Sequence, residues 1–160
     1  PAIDHPNRAC GIVAPVRVTA LGGVRLSGPA TLECETARRV ALWMQSVVRP
    51  SARRVLGSEV VSAQVMGSYV CRTRNHKPGA RISEHAQGRA IDIGGFTLAD
   101  GREITVRDDW GRGDAGIFLG LLRRQACGLF RTVLGPGSDA YHDDHFHLDT
   151  ARRRGRPWCP

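Results

Sequence analysis

The chain has 160 residues, 41% hydrophobic and 24% charged, with 23 Lys+Arg against 15 Asp+Glu and a formal net charge of +8. That length and balance fit one soluble globular domain, residues 1–160, and exclude a disordered or fibrous chain. No apolar run approaches the ~20 residues that span a bilayer, so no transmembrane segment is expected.

Residues 1–32 read as an irregular N-terminal arm with two short strands, Val16-Arg17-Val18 and Val24-Arg25-Leu26, parted by Gly22-Gly23. The first residues, Pro1-Ala2-Ile3-Asp4-His5-Pro6, lack the basic and apolar regions of a secretion signal, and a start at Pro suggests a processed chain. Ala37, Val40, Ala41, Met44, Val47 and Val48 recur at helical spacing and predict an amphipathic helix over 34–48. Glu33 and Glu35 suit its positive end, Arg49-Pro50 its termination, and Trp43 and Met44 its core face.

Residues 60–70 alternate weakly as a strand, and 72–82, with Asn75, Pro78 and Gly79, form an ordered loop. Strands follow at 89–94 and 103–106. Asp114 is the expected N-cap of a helix over 115–126 that turns Ile117, Phe118, Leu121 and Leu122 inward. Strands at 132–134 and 145–148, joined through a Gly135-Pro136-Gly137 turn, complete the set. The pattern is α+β: a small, mostly antiparallel sheet with helices packed on one side.

Five cysteines without a Cys-x-x-Cys pair point to disulfides in an oxidising compartment, periplasmic or secreted. Two bridges and one spare thiol are expected. Cys10 with Cys34 is the favoured pair, since each lies beside a strand-like segment. The arginines, clustered at 38–39, 53–54, 123–124 and 152–156, favour an anionic partner such as an acidic cell-wall polymer. No aromatic residues are interleaved with them, so nucleic acid is not an expected partner.

Strand periodicity locates a candidate site. Ala90, Asp92 and Gly94 share one face while Ile91 and Ile93 point into the core, which leaves Asp92 as a carboxylate among apolar neighbours. Such a group needs something positive to hold it. In 145–149, His145 and His147 share a face, and Phe146 and Leu148 take the other. Two imidazoles, a carboxylate and the nearby His85 form a nitrogen and oxygen donor set suited to zinc on the sheet face. Asp149 shares the His147 face and can hold its ring by a hydrogen bond. His142 has a structural or rim role, and His5, His76 and Asp143 read as surface residues.

Ser83-x-His85-x-x-Gly88-x-Ala90-x-Asp92 followed by Asp144-x-x-His147 resembles the zinc peptidases related to D-alanyl-D-alanine carboxypeptidases. That wider group takes in lysostaphin-type enzymes and the hedgehog signalling domain. More narrowly, 83–86, Leu134-Gly135-Pro136-Gly137 and 142–149 resemble the bacterial extensin-like C-terminal family. This likeness also includes Pro15-Val16-Arg17-Val18 and Pro29-Ala30-Thr31-Leu32, and so covers nearly the whole chain.

The resemblance implies His85, Asp92 and His147 as zinc ligands, Asp144 as general base, and His145 as an orienting or oxyanion-side group. Ser68-Tyr69-Val70-Cys71 resembles the group's Gly-Tyr-Arg segment, with Arg72 three positions after Tyr69 as second donor or carboxylate grip. Ser83 either binds substrate or caps the turn before His85. The expected function is zinc-dependent hydrolysis of peptidoglycan peptide bonds, as endopeptidase or D-amino-acid carboxypeptidase, by a monomer. The alternative is a non-catalytic, zinc-containing wall-binding module.

Overall fold

The computed structural model describes residues 1–160. Alternating apolar residues build strands β1 (Pro15–Leu21) and β2 (Val24–Glu33), paired antiparallel. Gly22 and Gly23, at φ 59° and 83°, make the reversal between them. The short strands expected in the arm are therefore a full hairpin at one edge of the main sheet.

β2 pairs in parallel with β3 (Val60–Gly67), and the helical segment between them makes the crossover. The remaining pairings are antiparallel. They join β3 to β4 (Ala90–Leu98), β4 to β5 (Glu103–Thr105) and β7 (Phe146–Asp149), and β6 (Thr132–Leu134) to β7. The order is β1-β2-β3-β4-β7-β6, with β5 also on β4. The architecture is thus mixed α+β.

β4 runs four residues past the expected end at Gly94 because two glycines shift its phase. Ile91 and Ile93 face the core, and strict alternation would next send Gly95 and Thr97 inward. Instead Phe96 and Leu98 join the core, and the β3 register slips between Gln64 and Val65. A Cβ on Gly95 would lie 2.5 Å from the Ile104 carbonyl oxygen, so no larger residue fits this bulge.

Helix α1 (Cys34–Trp43) continues through a π-helical turn (Met44–Val48), short α2 (Arg49–Ser51) and a second π-helical turn (Ala52–Leu56). The stop expected at Arg49-Pro50 does not occur. The Arg49 N–H donates to the Met44 carbonyl, five residues back, and this wider turn accommodates the proline that would break a regular helix. Gly57, left-handed at φ 66°, ends the run. After β5, Thr105 accepts from the Asp108 N–H and caps α3 (Val106–Asp109). Helix α4 (Gly113–Ala126) begins with Arg112, not Asp114, at the N-cap, and Asp114 lies in its first turn.

Val40, Trp43, Phe118, Leu119 and Leu122 from α1 and α4 form one core with Ile91, Ile93, Val133, Phe146 and Leu148 of the sheet. Trp43 is fully buried and donates its indole N–H to the Leu122 carbonyl at 3.1 Å. No helix is long and apolar enough to cross a membrane.

The expected Cys10–Cys34 bridge is not formed. Cys10 bonds Cys71, Cys127 bonds Cys159, and Cys34 is free and exposed. Proximity to strands misled the expectation: Cys34 opens α1, whereas the arm folds back on the turn before β4 through Gly11 N–H to the Ala86 carbonyl. That fold-back sets Cys10 against the loop that leaves β3. Two disulfides are compatible with an oxidising compartment. A thiol reagent added to native, unreduced protein is expected to label one cysteine, and Cys34→Ser to abolish the labelling. Persistent labelling of Cys34→Ser would refute this pairing.

Candidate metal centre

The sheet register assembles the centre. Ile91, Ile93, Phe146 and Leu148 bury themselves among the helices, so Asp92, His147 and Asp149 must face the other way. Asp92 sits directly opposite His147 in the β4–β7 ladder, and Asp149 opposite both Ala90 and Thr132.

His85 arrives from a one-turn 3-10 helix, Glu84–Gln87, at whose start Ser83 Oγ accepts the His85 N–H at 3.4 Å. Ser83 is therefore a cap, and it also lines the cavity above the site. Gly88, at φ 66°, ends the turn and returns the chain into β4. A Cβ there would lie 2.7 Å from the Glu33 backbone nitrogen. Gly67, opposite Asp92 on β3, has a related duty: a Cβ would lie 2.8 Å from Asp92 Oδ2. Its role was missed in the sequence because nothing there marks which strand neighbours Asp92.

The ligand atoms of His85, Asp92 and His147 lie within 4.8 Å of one another, and all three residues are buried. His85 Nδ1 is 2.7 Å from the Ser68 carbonyl, which only accepts, so Nδ1 donates and in the neutral ring Nε2 holds the lone pair. That Nε2 is buried without a hydrogen-bond partner, 3.1 Å from Asp92 Oδ2 but not aligned for a bond. His147 places Nδ1 3.0 Å from Asp92 Oδ1 and Nε2 2.9 Å from Asp149 Oδ2, the contact expected of Asp149.

With the Nε2–H of His147 donated to Asp149, its Nδ1 can offer its lone pair beside Asp92 and His85 Nε2. An orphaned nitrogen, an orientable second one and a buried carboxylate fit a zinc ion. The other potential cluster, His5 with Cys10 and Cys71, has both sulfurs joined in a disulfide and offers no thiolate.

Two more imidazoles stand at the rim, each with its own aspartate. His145 Nδ1 is 2.7 Å from Asp144 Oδ1, and its Nε2 is 3.7 Å from Asp92 Oδ1. Asp144 is half exposed and does not line the cavity, whereas His145 does. His142 is buried, with Nδ1 2.6 Å from Asp139 Oδ1 and its ring 5.0 Å from that of His145.

Asp139 was not singled out in the sequence. The signal was there: aspartates accompany His142, His145 and His147 at offsets of −3, −1 and +2. The cavity, about 410 Å³, also takes in Arg72 and His76. Arg72 donates to the Thr73 carbonyl and has no carboxylate partner, and His76 is a wall residue as well as an exposed one.

A model of the family described as extensin-like protein C-terminus matches residues 1–160. The chain belongs to that family. No curated protein and no solved structure matches it.

In this extensin-like domain the buried charges control one another. Burial alone would lower the His147 pKa, but hydrogen bonds to Asp149 and Asp92 outweigh it and raise it to about 9. Burial would raise Asp92, yet the hydrogen bond with His147 and the His85 imidazole beside it hold it well below the usual carboxylate range. In metal-free protein the His147 contribution to stability is complete below its ordinary value of 6.5 and is lost as pH rises through about 9.

Zinc requires that same proton to leave, so stabilisation by zinc should grow across the window. Chelator-treated protein is expected to melt at lower temperature at pH 9 than at pH 6.5, by a margin that Asp149→Asn reduces. The melting increment added by zinc should increase over the same range. An increment that shrinks with pH would contradict this coupling.

Proposed function

We propose that this domain is a zinc-dependent peptidase acting on the peptides of bacterial peptidoglycan. The observation that carries the reading is the buried His85–Asp92–His147 group, with an unpartnered His85 nitrogen, opening on a cavity lined by oriented imidazoles. Bound there, zinc would supply Lewis acidity toward a scissile carbonyl and acidify a water. The motif likeness to D-alanyl-D-alanine carboxypeptidase relatives supports the substrate class. So do the +8 charge, suited to an anionic wall, and the disulfides, suited to an extracytoplasmic setting.

The division of roles follows side-chain placement. His145 borders the cavity and has Nδ1 held by Asp144, so its Nε2 is the group we assign to take the proton from water and return it to the leaving amine. In this assignment Asp144 acts through His145, as a positioning residue, where the resemblance implied Asp144 itself as the base. His142, held by Asp139, offers a second oriented imidazole on the same wall. Arg72 has no acidic partner, and its planar guanidinium suits a carboxylate of the substrate peptide.

Digestion of purified peptidoglycan, with products identified by mass, tests the reading. Cleavage is expected with zinc, and it should vanish with a chelator or in Asp92→Ala and His147→Ala. His145→Ala should keep its zinc and lose roughly 10²-fold or more in rate. The product masses separate an endopeptidase from a carboxypeptidase. Fully zinc-loaded protein that binds peptidoglycan and leaves it uncut would overturn the peptidase in favour of a wall-binding module.

A further inference from the structure

Trp158 is 58% exposed, yet it lines the cavity over the metal centre and its backbone is tightly held. Its N–H donates to the Arg131 carbonyl at 2.8 Å, and its own carbonyl accepts the Val133 N–H at 2.9 Å. The next residue, Cys159, is bonded to Cys127 just beyond α4. An indole presented to solvent from a backbone this constrained has little backbone freedom left to lose when a ligand stacks on it. The other exposed aromatic of the cavity, Tyr141, already carries the Lys77 ammonium 5.3 Å from its ring centre.

The rest of the wall identifies the ligand chemistry. Leu134, Tyr141 and Trp158 are its hydrophobic members, and the remainder is polar. An apolar or aromatic side chain docked there would leave buried donors and acceptors without partners. A sugar ring matches both parts: its C–H face suits the indole, and its hydroxyls suit a polar rim. Asn75 and Arg153 belong to that rim. Asn75 and His76 both hold left-handed φ, 53° and 55°, a conformation costing about 1 kcal/mol each that is concentrated at ligand walls.

We propose that Trp158 is the stacking platform of a sugar subsite, which receives a hexose ring of the glycan strand while the attached peptide reaches the metal centre. The glycan assignment rests on the peptidoglycan reading above. The stacking platform itself rests on Trp158 and the wall around it.

Tryptophan emission reports this site directly. Trp43 is fully buried, and Trp110 lies between Phe146 and the Arg123 guanidinium, so a ligand in the cavity acts mainly on Trp158. Titration with the β-1,4-linked tetramer of N-acetylglucosamine is expected to give a saturable blue shift. By calorimetry, Trp158→Ala should bind about tenfold more weakly, and Trp158→Tyr should recover most of the loss. Equal zinc content and melting temperature in both variants would show that the fold is kept.

No saturable shift, or undiminished binding by Trp158→Ala, would overturn the subsite. Because the titration needs no hydrolysis, the two readings can fail separately. Sugar binding without peptide cleavage supports the subsite and contradicts the peptidase, and cleavage without sugar binding does the reverse.

Discussion

The pairing of Asp92 with His147 across β4 and β7 is the constraint on which the rest depends. Both strands give their aliphatic and aromatic side chains to the helices, which commits the alternate positions to the opposite face. There a buried carboxylate meets two imidazoles, one of them with an unpartnered nitrogen. An isolated charge in such a place costs several kcal/mol, so positive charge must accompany it. A proton on His147 meets the need, and a divalent cation bound in its place would meet it as well. Under the proposed zinc reading, the centre would exchange a proton for a metal ion, and its chemistry would depend on pH.

Around that pair the chain spends its special residues on access and orientation. Gly67 leaves room for the Asp92 carboxylate, and Gly88 allows the turn that sets His85 over the strand. Ser68 and Asp149 hold the outer nitrogens of His85 and His147. The Cys10–Cys71 bridge joins the N-terminal arm to the loop that carries Arg72 and leads to Ser83. Closing a loop of 61 residues, it restricts the unfolded chain by roughly 4 kcal/mol on chain-entropy grounds. The Cys127–Cys159 bridge fixes the chain beside Trp158, another lining residue. Each disulfide thus anchors a residue next to one that lines the same cavity.

Period-two patterning made the Asp92 and His147 part of the centre legible before any coordinates, while His85 as a ligand came in through the family resemblance. Ile91 and Ile93 inward force Asp92 outward, and Phe146 and Leu148 do the same for His147, whatever the sheet order. Features that depend on contact between distant segments were not legible. The Gly94-Gly95 bulge requires knowing that β5 presses on β4 there, and the helix running through Pro50 requires a π-helical turn that hydrophobic spacing does not announce. The disulfide partners depend on how the arm lies against the loop after β3. The relation between Asp144 and His145 was also beyond spacing, since offset from a ligand does not say which side chain turns toward the cavity.

Zinc K-edge absorption on protein loaded to one equivalent tests the centre most directly. Two imidazole nitrogens, with oxygen from Asp92 and solvent completing a shell of about four at ~2.0–2.1 Å, are the expected scatterers. Asp92→Ala should lose the ion. Sulfur scatterers at ~2.3 Å, or a spectrum unchanged by Asp92→Ala, would place zinc elsewhere and contradict the His85–Asp92–His147 centre.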